Sequence, residues 1–289
     1  MNKRILVVGA TGMLGKPVAQ RLKEDGFSVR ILSRDIHQAQ KQFNGLFDDI
    51  VNGEVTDIKS IESALGGCFG VHINLADEIE QVGAENIASI AGKMKIERIT
   101  YISGTSVAED TAWFLQTKRK LLAEKAIKES GVPYCIFCPT WFMESLPKYV
   151  KGNKAFVFGK QPNLYHFVAA DDYARMVSDS YKRDDVLNKR LFIHGQEGFL
   201  FQDALKKYCA VFYPEITKIS NMPYWLSKII ATLGKKKEMK FASELMAFFE
   251  KVGERGDPTE ANRFLDSPKI RLDEWLKQRK ERLNNSFTR

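Results

Sequence analysis

Residues 9–15 read GATGMLG and space three glycines as Gly9-x-x-Gly12-x-x-Gly15. The run follows a short apolar stretch, RILVV. It precedes KPVAQRLKEDG, a helical pattern with Pro17 in its first turn and Gly26 as its stop. Glycines there permit a tight turn and close backbone approach to a ligand, and the free N–H groups of the helix start suit a pyrophosphate. A lone glycine triplet is a weak signal; the strand before it and the helix after it give it meaning. Farther along, TAWFLQTK places Phe114 four residues before Lys118, a spacing that puts both on one face of a helix. A tyrosine in the first position would make the pair a proton donor with a tuned pKa. Phenylalanine has no proton to give. Tyr101 falls in a strand and Tyr134 beyond the helix, so the ordinary acid is absent.

The elements that must position these residues alternate. RILVVGA, FSVRILSR, the end of FDDIVNGE, VHINLA, RITYIS and VPYCIFCP read as strands. Between them lie helical patterns: DIKSIESALGG, ENIASIAGKMK with Ile87, Ile90, Ala91 and Met94 as its buried stripe, and a long helix over residues 111–130. Such alternation predicts an α/β fold, a Rossmann-type doubly wound parallel sheet with helices on both faces. After about residue 140 the pattern loosens. FVAADDYARMVSDSY is a helix opened by Asp171 or Asp172, and KRLFIH is a strand that returns to the main sheet. The chain from Pro223 onward reads mostly helical and ends in a helix carrying Trp275. The expected division is a dinucleotide-binding domain over 1–155 and a small, mainly helical lobe over 156–289, with about 190–195 returning to the sheet.

Composition narrows the classes. A chain of 289 residues buries a large core. The four cysteines are scattered, which fits a reducing compartment better than a disulfide scaffold. Cys135 and Cys138 spell C-x-x-C inside an apolar strand, where positions three apart point to opposite faces, so they read as inert core thiols and no metal site is expected. No stretch approaches ~18 uninterrupted apolar residues, and the N-terminus lacks a signal peptide's features; a cytoplasmic protein without membrane contact is expected. The formal charge of +8 owes much to GKKKEMK and WLKQRKERL. Acidic residues are interspersed there and no nucleic-acid-binding signature accompanies them, so they read as solvated helix faces.

The second strand ends in LSRD. Dinucleotide folds that prefer NAD commonly place an acid at this tip to hold the ribose 2′-hydroxyl. With Ser33 and Arg34 at the tip, a hydroxyl and a guanidinium meet a 2′-phosphate instead. NADP(H) is the expected cofactor and NAD(H) the alternative, which Asp35 would favour if the register slipped by one.

On these residues the chain resembles the atypical short-chain dehydrogenase/reductase group, in its NmrA-like and isoflavone-reductase-like branch. The carriers are GATGMLG at 9–15, SR at 33–34, GEVTD at 53–57, YISGTSV at 101–107, GVPYCIFCPTWFMESLP at 131–147, HFVAADDYA at 166–174 and DPTEANRFLDSPKIRLDEW at 257–275. The resemblance implies that Thr11, Gly12, Met13 and Leu14 line the diphosphate, with Val55 and Asp57 near the adenine and Leu75 and Ala76 beside the ribose. It puts Ser103, Gly104 and Lys118 near the nicotinamide end. Pro139, Thr140, Trp141 and Phe142 would pass along the nicotinamide and open the substrate pocket, although core packing explains the aromatic members equally well.

Three readings of the missing hydroxyl stay open. One is a binder of NADP(H) without turnover, a redox sensor or regulator with a protein partner. Another is a reductase passing hydride to a small organic carbonyl or enone-type substrate, with Lys118 as the acid and Lys120 less well placed. In the third, Ser103, Thr105 or Ser106 relays the proton. Phe156, Phe158, His166 and the stripe Phe241, Leu245, Phe248 and Phe249 are candidate walls for a substrate, with core packing as the plainer explanation.

Overall fold

The structure, a computed structural model, describes residues 3–234 and 237–287. In chain order the first elements are β1 (Arg4–Val8), α1 (Gly15–Glu24), β2 (Ser28–Ser33), α2 (Ile36–Phe43), β3 (Ile50–Asn52), α3 (Ile58–Leu65), β4 (Gly70–Ile73) and α4 (Ile79–Lys93). Then come β5 (Arg98–Ile102), α5 (Leu115–Glu129), β6 (Tyr134–Pro139), β7 (Val150–Lys151), β8 (Lys154–Phe158), β9 (Leu164–His166), α6 (Ala170–Ser180) and β10 (Lys189–Ile193). The chain continues through β11 (Gly198–Leu200), α7 (Phe201–Phe212), β12 (Ile219–Met222), α8 (Tyr224–Leu233), α9 (Lys237–Val252), α10 (Thr259–Leu265) and α11 (Leu272–Phe287).

The chain divides into two compact units. The first comprises Met1–Pro139, Ala170–Ile193 and Asp257–Asp266. Its core is a seven-stranded sheet in the order β10-β6-β5-β4-β1-β2-β3, with every pairing parallel. Strands covered on both faces favour continuous apolar runs, and β1 supplies one, with Ile5 to Val8 buried; every residue of β5 is buried too, although it carries Arg98 and Thr100. Ile61, Ile87, Ile90 and Ile127 of α3, α4 and α5 close one face of the sheet. Met94 departs from the expected stripe: it caps α4 and is exposed. Helix α2 has only a thin apolar stripe (Ile36, Ala39 and Phe43), too sparse to show as periodicity; Asp35, whose side chain accepts from Gln38 N, is the capping signal that marks it.

One chain of buried polar groups in this unit runs from β4 through β5 to Tyr181. His72 Nδ1 meets Thr100 Oγ1 at 2.9 Å, and Thr100 meets the Tyr181 hydroxyl at 2.8 Å. Burial pushes the His72 pKa down to about 3, so the ring stays neutral. Cys138 joins the core against α3, α4 and α5 whereas Cys135 does not; burial raises both thiols, Cys138 to about 12.

The second unit comprises Thr140–Ala169, His194–Gly256 and Ser267–Arg289. It is less purely helical than its sequence suggests. It holds an antiparallel pair, β11-β9, and a three-stranded sheet, β12-β8-β7. Its core is aromatic: Trp141, Tyr149, Tyr165, Phe167, Phe201 and Trp275 are all buried. Glu250 on α9 accepts from the Tyr224 hydroxyl at 2.6 Å and from Lys160 N at 2.8 Å. Gly159 (φ +72°) is required beneath this knot, because a Cβ there would lie 2.0 Å from the Tyr224 hydroxyl.

Lys235 and Lys236 of the basic stretch lie outside the described residues, whereas Lys237, Lys240, Lys277 and Lys280 are exposed. No described helix is long and apolar enough to cross a membrane.

Candidate functional site

In the first unit the parallel strands bring their C-terminal ends to one edge, and the predicted residues of this unit before α5 follow those ends. The chain runs from β1 through β2 to β3 on one side and from β4 through β5 to β6 on the other. The strand order therefore reverses between β1 and β4, the place where open parallel sheets bind ligands. Gly9 (φ +75°) lies in that crevice: a Cβ on it would come within 1.9 Å of Asn74 O, just beyond β4. A Cβ on Gly15 would meet Gly9 O at 2.1 Å. Gly12 N donates to Gly9 O at 3.0 Å and closes the turn. Leu14 caps α1 without a side-chain hydrogen bond, and Thr11, Gly12 and Met13 are exposed. The turn thus presents backbone N–H groups and the positive end of a helix to an anion. Gln42 Nε2 holds the turn from outside through Thr11 O at 2.8 Å, and no side chain caps α1, so the helix start fits a dinucleotide diphosphate.

At the tip of β2, Ser33 Oγ donates to Asp35 O at 2.9 Å and accepts from Asp35 N at 3.2 Å. The Asp35 carboxylate turns into α2 and accepts from Gln38 N at 2.8 Å. Arg34 stands exposed between them. The acid that could hold a 2′-hydroxyl is therefore occupied as a helix cap, while the guanidinium is presented to solvent.

Val55 and Leu75 are buried, and they fill the space against Gly83 of α4, where a Cβ would meet them at 2.8 and 2.6 Å. Asp57 caps α3; hydrogen bonds from Ser60 Oγ, then from the backbone of Lys59 and Ser60, hold its carboxyl below the ordinary range. Ala76 is exposed beside them.

At β5 the Ser103 hydroxyl donates to Glu124 Oε1 at 2.5 Å, and Arg190 Nε donates to Glu124 Oε2 at 3.1 Å. Ser103 N donates to Phe137 O and Thr105 N to Pro139 O, which extends the pairing with β6 past the strand end, beside half-buried Gly104. Ser103, Thr105 and Ser106 are all buried.

The helix expected over 111–130 is shorter. Glu109–Thr111 form a 3-10 turn and α5 begins at Leu115. Phe114 is its N-cap, with extended backbone (φ −89°, ψ 123°), and its carbonyl accepts from Lys118 N at 3.0 Å. The pair therefore spans the helix start and is not two successive positions on one face. The two lysines differ. Lys118 is exposed in the first turn. Lys120 pairs with buried Glu80 and donates to Ile102 O at 3.3 Å. The Tyr101 hydroxyl donates to the same Glu80 at 2.8 Å. Burial first, then the charge of Glu80, lifts its pKa well above the ordinary value.

Thr140, Trp141 and Phe142 belong to the second unit. Thr140 Oγ1 donates to Glu254 Oε2. Trp141 packs edge-on to Phe201 (5.1 Å between ring centroids) and Tyr165 (6.2 Å). Its Nε1 is buried with no hydrogen-bond partner among the described residues. Phe142 is buried and bridges to Val168. Phe158 and Phe248 are buried, and Phe241 is exposed.

The profile of the NmrA-like family matches residues 1–256. Among curated proteins, (4-alkanoyl-5-oxo-2,5-dihydrofuran-3-yl)methyl phosphate reductase of Streptomyces griseus is 32% identical over 151 residues; the match covers 52% of this chain and 52% of that protein, about half of each. Among solved structures, triphenylmethane reductase of Citrobacter sp. complexed with NADP(H) matches with a TM-score of 0.77 at 15% identity, over 95% of this chain and 99% of that one. NADPH-dependent quinone oxidoreductase of Escherichia coli complexed with NADPH matches with a TM-score of 0.76 at 16% identity, over 95% and 99%. At such identities the two structures speak for the fold.

Proposed function

The chain belongs to the NmrA-like family, and on that premise we propose that it is an NADP(H)-dependent reductase passing hydride to a small organic carbonyl or enone-type substrate without a tyrosine acid. The observation that carries this reading is the uncapped glycine turn at the β1/β4 crossover, where Gly9 and Gly15 leave no room for a Cβ. The reductase relative and the two solved oxidoreductases, named with NADP(H) or NADPH, support the cofactor and the reaction class.

NADPH, when bound, supplies the hydride. The chain does the rest. Backbone N–H groups of residues 13–15 at the start of α1 would hold the diphosphate, and Arg34 would take the 2′-phosphate while Asp35 is held away from it by its cap on α2. We assign Lys118 the ribose contact and the proton that the substrate oxygen or carbon needs. Lys120 is excluded from that role because Glu80 and Ile102 O already hold its ammonium. The four cysteines are free thiols, which supports placing the protein in the reducing cytoplasm.

The test is NADPH consumption over a panel of quinones, aldehydes and enones, with the wild type and Lys118→Ala. Turnover in the wild type and its loss in the variant are expected; full turnover in the variant removes Lys118 from the mechanism. A regulator that binds a protein partner is the second reading. One observation favours it: Trp225, Ile229 and Leu233 lie four apart on α8 and are 66%, 48% and 82% exposed.

A further inference from the structure

The second unit gathers two histidines and a glutamate from segments far apart in sequence: His166 ends β9, His194 follows β10, and Glu254 follows α9. One ligand atom from each lies within 4.8 Å of the others. Glu254 is pinned through one oxygen, since Oε2 accepts from His166 N at 2.8 Å and from Thr140 Oγ1. Its other oxygen, Oε1, faces both rings, with His166 Nδ1 at 2.6 Å and His194 Nδ1 at 3.4 Å. The rings stack at 13° with centroids 5.7 Å apart.

The tautomer of His194 decides what Oε1 meets. His194 Nε2 lies 3.1 Å from the carbonyl oxygen of Arg255. A carbonyl only accepts, so Nε2 carries the proton and a neutral ring turns the lone pair of Nδ1 towards a carboxylate oxygen. Two electron-rich atoms at that distance call for either a second proton on Nδ1 or a cation between or beside them. A histidine whose outer N–H is spent on a backbone carbonyl, and a carboxylate whose outer oxygen is spent on a hydroxyl and an N–H, are the supports that metal-binding side chains receive. The 3.4 Å separation of His194 Nδ1 and Glu254 Oε1 also matches the ligand-to-ligand edge of a tetrahedral zinc site, about 3.3 Å for bonds of about 2.0–2.1 Å.

We propose that His166, His194 and Glu254 form a divalent transition-metal site, suited to Zn²⁺, that ties three segments of the second unit together. The ion displaces the hydrogen that His166 Nδ1 presents to Glu254 Oε1, and that contact opens to the tetrahedral edge. The His166 side chain is 38% exposed against 12% for His194 and 7% for Glu254, so the fourth position faces solvent on the His166 side and takes water. Gly198, paired with His166 across β9 and β11, keeps the ring in place: a Cβ there would lie 3.1 Å from His166 Nε2. The site is independent of the reductase reading.

The experiment titrates the EDTA-treated full chain with CoCl₂ and displaces the cobalt with ZnCl₂. The expected result is one Co²⁺ per chain, the intense visible absorption of a tetrahedral site without a thiolate charge-transfer band, and displacement by one equivalent of Zn²⁺. His194→Gln and Glu254→Gln should abolish saturable binding, and Thr140→Val should weaken it roughly 10–100-fold by freeing the outer oxygen. Glu254→Gln keeps the shape of the side chain and carries the test if His194→Gln does not fold. A thiolate band, binding that survives both ligand variants, or no saturable binding at all overturns the site; the last result leaves His194 as a protonated partner of Glu254.

Discussion

The turn before α1 and the turn before α5 both deliver the chain from a strand end to a helix, and they differ in where their chemistry resides. The first works through backbone. Gly9, Gly12 and Gly15 have no side chains to offer, and the structure uses that lack: Gly9 abuts Asn74 O, Gly15 abuts Gly9 O, and α1 opens without a cap. The second would work through side chains, and there Phe114 stands as an N-cap without a polar atom and Lys118 is exposed. Backbone binding survives nearly any drift in the neighbouring side chains. An acid lost with one hydroxyl has to be supplied by another residue or given up.

The comparison breaks most readily at Gly9. Gly9→Ala drives a Cβ into Asn74 O and forces an alanine to positive φ. A stability loss of at least about 3 kcal/mol in urea unfolding and the disappearance of cofactor binding are expected. An alanine variant of wild-type stability would show that the crevice yields. Next in size is the acid sensitivity of the sheet that carries both turns. His72 on β4 has its folded pKa near 3 against an ordinary 6.5. The unfolded chain binds the extra proton in that window, so stability is full above 6.5 and falls as pH drops towards 3, by up to about 1.4 kcal/mol per pH unit. Urea midpoints between pH 7 and pH 4 read this slope, and His72→Asn should flatten it.

The two lysines sharpen the contrast at the second turn. Lys120→Ala leaves the Glu80 carboxylate buried without its ammonium and should cost about 1–3 kcal/mol of stability. Lys118→Ala should leave the midpoint within about 0.5 kcal/mol and lower NADPH affinity or turnover instead. An interchange of the two effects would mean that the register of α5 is misassigned. The smallest effect is expected from Phe114→Tyr. It restores a hydroxyl on an extended N-cap residue and should raise carbonyl reduction modestly, by about tenfold or less. A large gain would mean that the site awaited only that proton.

The same contrast explains how much was legible in the sequence. Strands β1 and β6 are largely apolar and buried, β5 carries Ile99, Tyr101 and Ile102, and α1 has both its glycine entry and its Gly26 stop, so the sheet and the glycine turn could be read directly. The turn at Glu109–Thr111 could not, because whether TAWFLQTK continues a helix or opens one depends on how Phe114 is seated, and sequence periodicity does not carry that. The role of Asp35 was hidden likewise: a carboxylate at a strand tip reads as a ribose ligand until α2, with its sparse stripe, is seen to claim it. In the second unit β7, β8, β9 and β12 are two to five residues long, too short for alternation to register. His166, His194 and Glu254 are assembled by tertiary structure alone.

The most direct measurement is a titration of the wild type and Arg34→Ala with NADPH and NADH, followed by cofactor fluorescence. Binding through the glycine turn with Arg34 at the 2′-phosphate predicts that the wild type prefers NADPH by at least about tenfold and that the variant loses most of that preference while still binding NADH, since a charge-assisted contact of this kind is worth about 1.5–3 kcal/mol. Equal or tighter binding of NADH by the wild type, or no binding of either, would contradict it.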